Sequence, residues 1–158
     1  MSITPLGKFD PNKAENHEDI EKQFAVVAVQ HAQVYWNLLE KVPPSTLKLT
    51  KLDDEIFEDF KAKFPELFEN DAKGLALADE DAMKSDENKA RWRNFIQPYE
   101  KRVNQYNFGS LLRLDATDEY SEHNAIFVTR MQFLAFEIAR NRLKLNDEVH
   151  RKAKEEAS

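Results

Sequence analysis

The chain has 158 residues and no cysteine, which leaves out disulfides, thiolate nucleophiles and sulfur-based zinc sites. A hydrophobic share of 41% and a charged share of 33% fit one globular domain with a heavily charged surface. The net charge of −6 is unevenly placed, because residues 53–87 hold 13 Asp and Glu against 4 Lys; this disfavours nucleic acid and favours a basic protein surface as partner.

Residues 1–15 carry Pro5, Gly7 and Pro11 and are expected to form a flexible N-terminus. They show no secretory or transit pattern, and no apolar run approaches the roughly 20 residues that span a bilayer, so a cytosolic protein with no membrane partner is expected. Asn16 is a plausible N-cap. Beyond it Ile20, Phe24, Val27, His31, Val34 and Leu38 recur at steps of three and four, which predicts a long amphipathic helix ending at Pro43-Pro44. Ala28, Tyr35 and Leu39 widen its core-facing stripe. A second helix carries Ile56, Phe57, Phe60 and Phe64, with Asp53 or Asp54 as its cap. Pro65 interrupts it, and Leu67-Phe68 adds a turn.

Residues 70–88 are polar and acidic and read as a loop or weak helix. A third helix sets Trp92, Phe95, Ile96, Tyr99, Val103 and Tyr106 on one stripe, and Pro98 kinks or restarts it. Gly109–Asp115 and Ala125–Val128 alternate as the two strands of a hairpin with a long loop. From Thr129 the pattern turns helical and is apolar nearly all round, through Met131, Phe133, Leu134, Phe136 and Ile138, which predicts a buried central helix. The expected fold class is therefore α+β, a predominantly helical single domain over 16–145 with one antiparallel hairpin packed on a buried helix. Residues 146–158 follow as a charged C-terminal helix or tail.

The residues point to no catalytic, cofactor or metal site. Gly7, Gly74 and Gly109 are the only glycines and lie far apart, so no phosphate, dinucleotide or methyl-donor loop is built. There is no GxSxG elbow, and the acidic pairs sit in segments too solvated for tuned acid–base work. His17, His31, His123 and His150 form no ligand pair; His31 reads as a hydrogen-bonded structural histidine, and Glu122-His123 beside Glu119 is a weak metal candidate.

Charge and exposure supply the partner-binding candidates. Asp53, Asp54, Glu55, Glu58 and Asp59 make an acidic face on the second helix, with a solvated face as the plainer reading. Arg113 sits between two leucines in a strand, and Arg130, Glu137, Arg140 and Arg142 lie on or beside the following helix. A structural ion network holding hairpin to helix is the preferred reading of these charges, and a partner groove using Arg113 and Arg130 is the other. Leu145 and Val149 are the apolar residues of a possible C-terminal docking helix.

The segments VQHAQVYWNLL, LKLTKLDDEIF, RWRNFIQPY, YNFGSLLRLD and FVTRMQFLAFEIARNR resemble, in this order, the eukaryotic polysaccharide biosynthesis domain-containing protein 1 family. The resemblance covers about residues 18–145 and is closest to short fungal-type members, which lack the long acidic tail of animal members. It implies a non-enzymatic, ATP-independent cytosolic chaperone that assists co-translational folding of the GTP-binding domain of translation elongation factor 1-alpha. Nascent elongation factor is then the partner, with ribosome-associated factors as further ones. The family name keeps a sugar-active or methyl-transferring enzyme of polysaccharide biosynthesis open, and a stable adaptor of the mature factor is the third reading.

Overall fold

The structure, a computed structural model, describes residues 17–157, with side chains from residue 25 onward. The first 15 residues, the Asn16 cap and the side chains of Ile20 and Phe24 lie outside the described residues. Seven helices and one hairpin follow in the order α1 (His17–Lys41), α2 (Asp53–Lys63), α3 (Glu69–Ala76), α4 (Glu80–Lys84), α5 (Asp86–Ile96), β1 (Gly109–Arg113), β2 (Ala125–Thr129), α6 (Arg130–Arg142) and α7 (Asp147–Ala157). The fold is α+β and mainly helical, as the sequence pattern predicts.

Helix α6 is the axis of the domain. The chain passes from β2 into it through a capping box, in which the Thr129 hydroxyl accepts from the Gln132 amide and the Gln132 side chain accepts from the Thr129 amide. Every residue from Phe133 to Asn141 is buried, so the helix has no solvent face over that stretch. Its Phe136 joins Phe60 of α2, Phe64 just past the end of that helix, and Trp92 and Phe95 of α5 in an aromatic cluster. Phe60 lies 5.5 to 5.8 Å from the other four ring centres, and Phe64 stacks on Trp92 at 4.3 Å. Such tilted and offset ring pairs add about 0.5–1.5 kcal/mol each beyond the area they bury.

Several elements differ from the expectation in detail. Asp53 does not cap α2, whose N-cap position is Leu52; its buried carboxylate instead accepts the amides of Leu49 and Thr50, each at 2.8 Å, and closes the turn before the helix. The acidic stretch after Phe68 forms two short helices. In α3 the residues Asn70, Asp71 and Ala72 take φ of 53°, 59° and 59°, a left-handed kink in the element. Helix α5 stops at Ile96, and Pro98 opens a 3-10 turn over Gln97–Tyr99, so Val103 and Tyr106 reach the core from turns.

The face of α1 is rotated from the predicted stripe. Ala28, Ala32, Tyr35 and Leu39 are buried, whereas Val34 is 61% and Leu38 42% exposed. His31 is half-buried and stands edge-on to Phe133 at 5.2 Å, and its Nδ1 has no hydrogen-bond partner among the described residues. Burial and the nearby Arg130 charge both lower its pKa.

The hairpin pairs Ser110 with Val128 and Leu112 with Ile126. Leu112, Ile126 and Val128 face the core, and alternation puts Leu111, Arg113, Ala125 and Phe127 on the opposite face, against α1. Beyond β1 the chain continues pairing with the segment after α3: the Ala78 amide donates to the Leu114 carbonyl and the Ala116 amide to that of Ala76.

Candidate functional site

Beneath the α1 side of the hairpin lies a buried polar knot. Glu137, on α6, is fully buried and pairs with Arg140 at 2.9 Å and Arg113 at 3.5 Å. It also accepts from the Tyr35 hydroxyl at 2.9 Å and from Asn146 Nδ2 at 3.0 Å. Burial alone would raise its pKa, but the two guanidiniums and these hydrogen bonds outweigh burial and hold the carboxyl below its ordinary range. The phenol of Tyr35 is pushed well up, by burial first and then by the Glu137 charge.

Arg113 donates from its two terminal nitrogens to the carbonyls of Ala116 and Asp118 and to Asn146 Oδ1, while Arg140 reaches the carbonyls of Leu75, Arg113 and Leu114. One cluster thus ties α1, α3, the hairpin, α6 and the turn before α7. Arg113 is 0% exposed and cannot meet a partner, so the structural-network reading holds and its candidacy as a docking residue is withdrawn. Arg130 stands apart from the knot, half-buried beside His31.

Above the knot is a groove. The Arg113 guanidinium stacks under Trp36 at 5.3 Å and Tyr120 at 5.7 Å, and these rings form the groove floor. Its walls are Ala25, Val29 and Ala32 of α1 and Leu111, Ala125 and Phe127 of the hairpin, around a volume of about 810 Å³. Val29 is 44% and Phe127 52% exposed, far more than a closed core tolerates. A smaller hollow of about 230 Å³ adjoins it, sharing Trp36 and Glu119.

The mouth is acidic. Glu119 and Glu122 border the groove, and Glu40, Asp118, Glu119 and Glu156 border the hollow, with Lys152 as the one cation among the residues lining the two. None of these five carboxylates has an ion-pair partner among the described residues.

The acidic face expected on α2 is different. Asp53 is buried in its turn. Asp54 pairs with Arg142 and Glu55 with Arg102, each at 2.5 Å. The bond from Arg102 lowers the Glu55 pKa. Asp59 pairs with Lys63 at 3.1 Å and accepts from the Tyr99 hydroxyl. Only Glu58 of the five is exposed and without an ion pair among the described residues. That face is largely neutralised within the molecule.

Leu145 and Val149 are also placed otherwise. Val149 is 3% exposed within the core, and Leu145, in the turn before α7, packs half-buried against that core, so neither is held out for docking. No group of three or more metal-ligating side chains is found among the described residues, and no described helix is long and apolar enough to cross a membrane. The groove was missed in the sequence because its walls lie about ninety residues apart. A signal was present in β2, where Phe127 alternates outward between buried Ile126 and Val128.

The family model described as "PBDC1 protein" matches residues 20–151. A Schizosaccharomyces pombe protein described as "Protein PBDC1 homolog" is 58% identical over 140 residues, covering 89% of this chain and 94% of that protein. A Saccharomyces cerevisiae protein of the same description is 51% identical over 142 residues, covering 90% and 96%. A solution NMR structure of a Saccharomyces cerevisiae protein superposes with a TM-score of 0.79 at 50% identity, covering 92% of this chain and 98% of that one.

Proposed function

Since the chain belongs to the PBDC1 protein family, we propose that it is a non-enzymatic, ATP-independent chaperone for the nascent GTP-binding domain of translation elongation factor 1-alpha, acting in the cytoplasm. The observation that carries this reading is the apolar groove beside five carboxylates with no ion pair among the described residues. An unfinished domain exposes apolar segments that need cover, and a translation factor that handles RNA carries basic surface. The groove supplies the first complement and its mouth the second, with charge steering the encounter.

The test is binding of the purified protein to the unfolded GTP-binding domain, with and without GTP, at two salt concentrations. The expected result is binding that salt weakens and that GTP releases as the client folds. Lasting binding to the folded, GTP-loaded factor would overturn this reading in favour of an adaptor, and no binding in any condition would overturn it outright.

A further inference from the structure

We propose that β2 captures an extended, apolar, basic-flanked segment of an unfolded polypeptide as an added third strand, its side chains entering the groove. This rests on the chaperone reading and specifies how the client is held.

Among the described residues the bonding pattern leaves one edge of the hairpin open. The Leu114 amide donates to the Asn124 carbonyl. In an antiparallel ladder bonded pairs alternate, so Leu112 with Ile126 and Ser110 with Val128 exchange bonds, while Leu111, Arg113, Ala125 and Phe127 turn their amides and carbonyls outward. On the β1 side those outward carbonyls are taken, Leu111 by the Tyr120 hydroxyl at 3.1 Å and Arg113 by Arg140 at 2.8 Å. On the β2 side the Thr129 amide is taken by Gln132, but the outward groups of Ala125 and Phe127 meet no partner among the described residues.

Natural sheet edges are usually guarded by lysine, proline, a bulge or a covering element. The β2 sequence AIFVT contains neither lysine nor proline, and its regular register contains no bulge. It instead shows Phe127 to solvent at the lip of the groove. An edge of this kind recognises a peptide through main-chain bonds, with alternate side chains read by the adjoining pocket. The carboxylates of Glu119 and Glu122, in the loop that enters β2 and without an ion pair among the described residues, then select positive charge at the end of the segment beside that loop.

The probe is the nonapeptide Lys-Lys-Val-Thr-Val-Ile-Val-Lys-Lys, titrated into the isotopically labelled full chain and compared with the same sequence carrying glutamates in place of lysines. Amide hydrogen exchange is read residue by residue. At saturation the Ala125 and Phe127 amides are expected to slow by about tenfold or more while Ile126 and Val128, already bonded, change little. The glutamate-flanked peptide and the Phe127→Lys variant are each expected to bind about tenfold more weakly. An unchanged melting temperature for Phe127→Lys, whose side chain is half exposed, keeps that comparison free of misfolding.

Binding that leaves the Ala125 and Phe127 amides unprotected overturns strand addition, and so does no binding at millimolar peptide. Equal affinity for the two peptides overturns the charge selection. If the client domain still binds after either failure, the chaperone reading survives without this mechanism; if the peptide is captured and the client is not, the edge stands and that reading falls.

Discussion

Glu137 is the single most constrained residue of the molecule. Among the described residues it is the one carboxylate in ion-pair contact with the two buried guanidiniums, so its removal leaves Arg113 and Arg140 only the weaker, more distant charge of Asp115. Breaking a buried ion cluster from that side costs about 3–5 kcal/mol. Glu137→Gln is therefore expected to lose about that much in urea unfolding at pH 7, and Arg113→Met less, because Glu137 keeps Arg140 at 2.9 Å. A larger loss for Arg113→Met would show that its carbonyl contacts outweigh the charge balance. The carboxyl is held below its ordinary pKa of 4.5, so the folded state binds the proton more weakly than the unfolded chain does. Its stabilisation is full above that value and is lost as pH falls through the lower folded one, so the gap between wild type and Glu137→Gln should narrow in acid. The misplaced charge of Arg113 between two leucines was visible in the sequence, and so was Glu137 as a candidate partner. Tyr35, whose hydroxyl bonds Glu137 across 102 positions, was not, because no spacing rule links residues so distant.

At the scale of elements, what could be read depended on whether one element or several fix the geometry. Helix α6 and the hairpin were legible because an all-round apolar run and strict alternation each have one stable answer. The phase of α1 was legible only in part, through Ala28, Tyr35 and Leu39, which are buried as expected. Apolar residues cover much of its circumference, and its partners settle which of them is buried; Ala28 and Ala32 face inward while Val34 and Leu38 stay out. The groove depends on that same choice, since the α1 face carrying Val29 and Trp36 meets the hairpin only in the assembled fold. Helix α3 shows a constraint of a different kind. A Cβ on Gly74 would stand 2.8 Å from Leu67 Cδ2 and 3.0 Å from Leu67 Cα, and the backbone atom cannot rotate away. Gly74→Ala should therefore destabilise by about 1–3 kcal/mol through overpacking, despite the better helix propensity of alanine. Chemical unfolding checks this, and a gain in stability would mean that the chain around Leu67 yields easily.

Across the whole molecule the charge is divided between two tasks. On α2 the acids are mostly consumed, by Arg142 and Arg102, which brace the helix against α6 and the turn after α5, and by Lys63 within the helix itself. Around the groove the acids have no ion pair among the described residues, and the same holds for the exposed Glu69, Asp71, Asp79, Asp81, Asp86 and Glu87. The acidic surface open to a partner therefore has a groove part besides the acidic segment itself. Helix α7 closes the same end of the fold. Val149 enters the core, His150 Nδ1 lies 2.9 Å from the Glu40 carbonyl at the end of α1, and Asn146 just before the helix joins the Glu137 knot. A detachable docking helix would have none of these ties. Val149→Ala removes most of a buried side chain and should cost about 1.5–3 kcal/mol. For a domain of this length that lowers Tm by roughly 5 °C or more, readable by circular dichroism. Because α7 packs along α1, the loss should spread to the α1 wall of the groove, and Val149→Ala should weaken client binding although Val149 contacts no client. An unchanged Tm would mean that α7 leaves the domain at little cost, and would restore the C-terminal helix as an independent docking element.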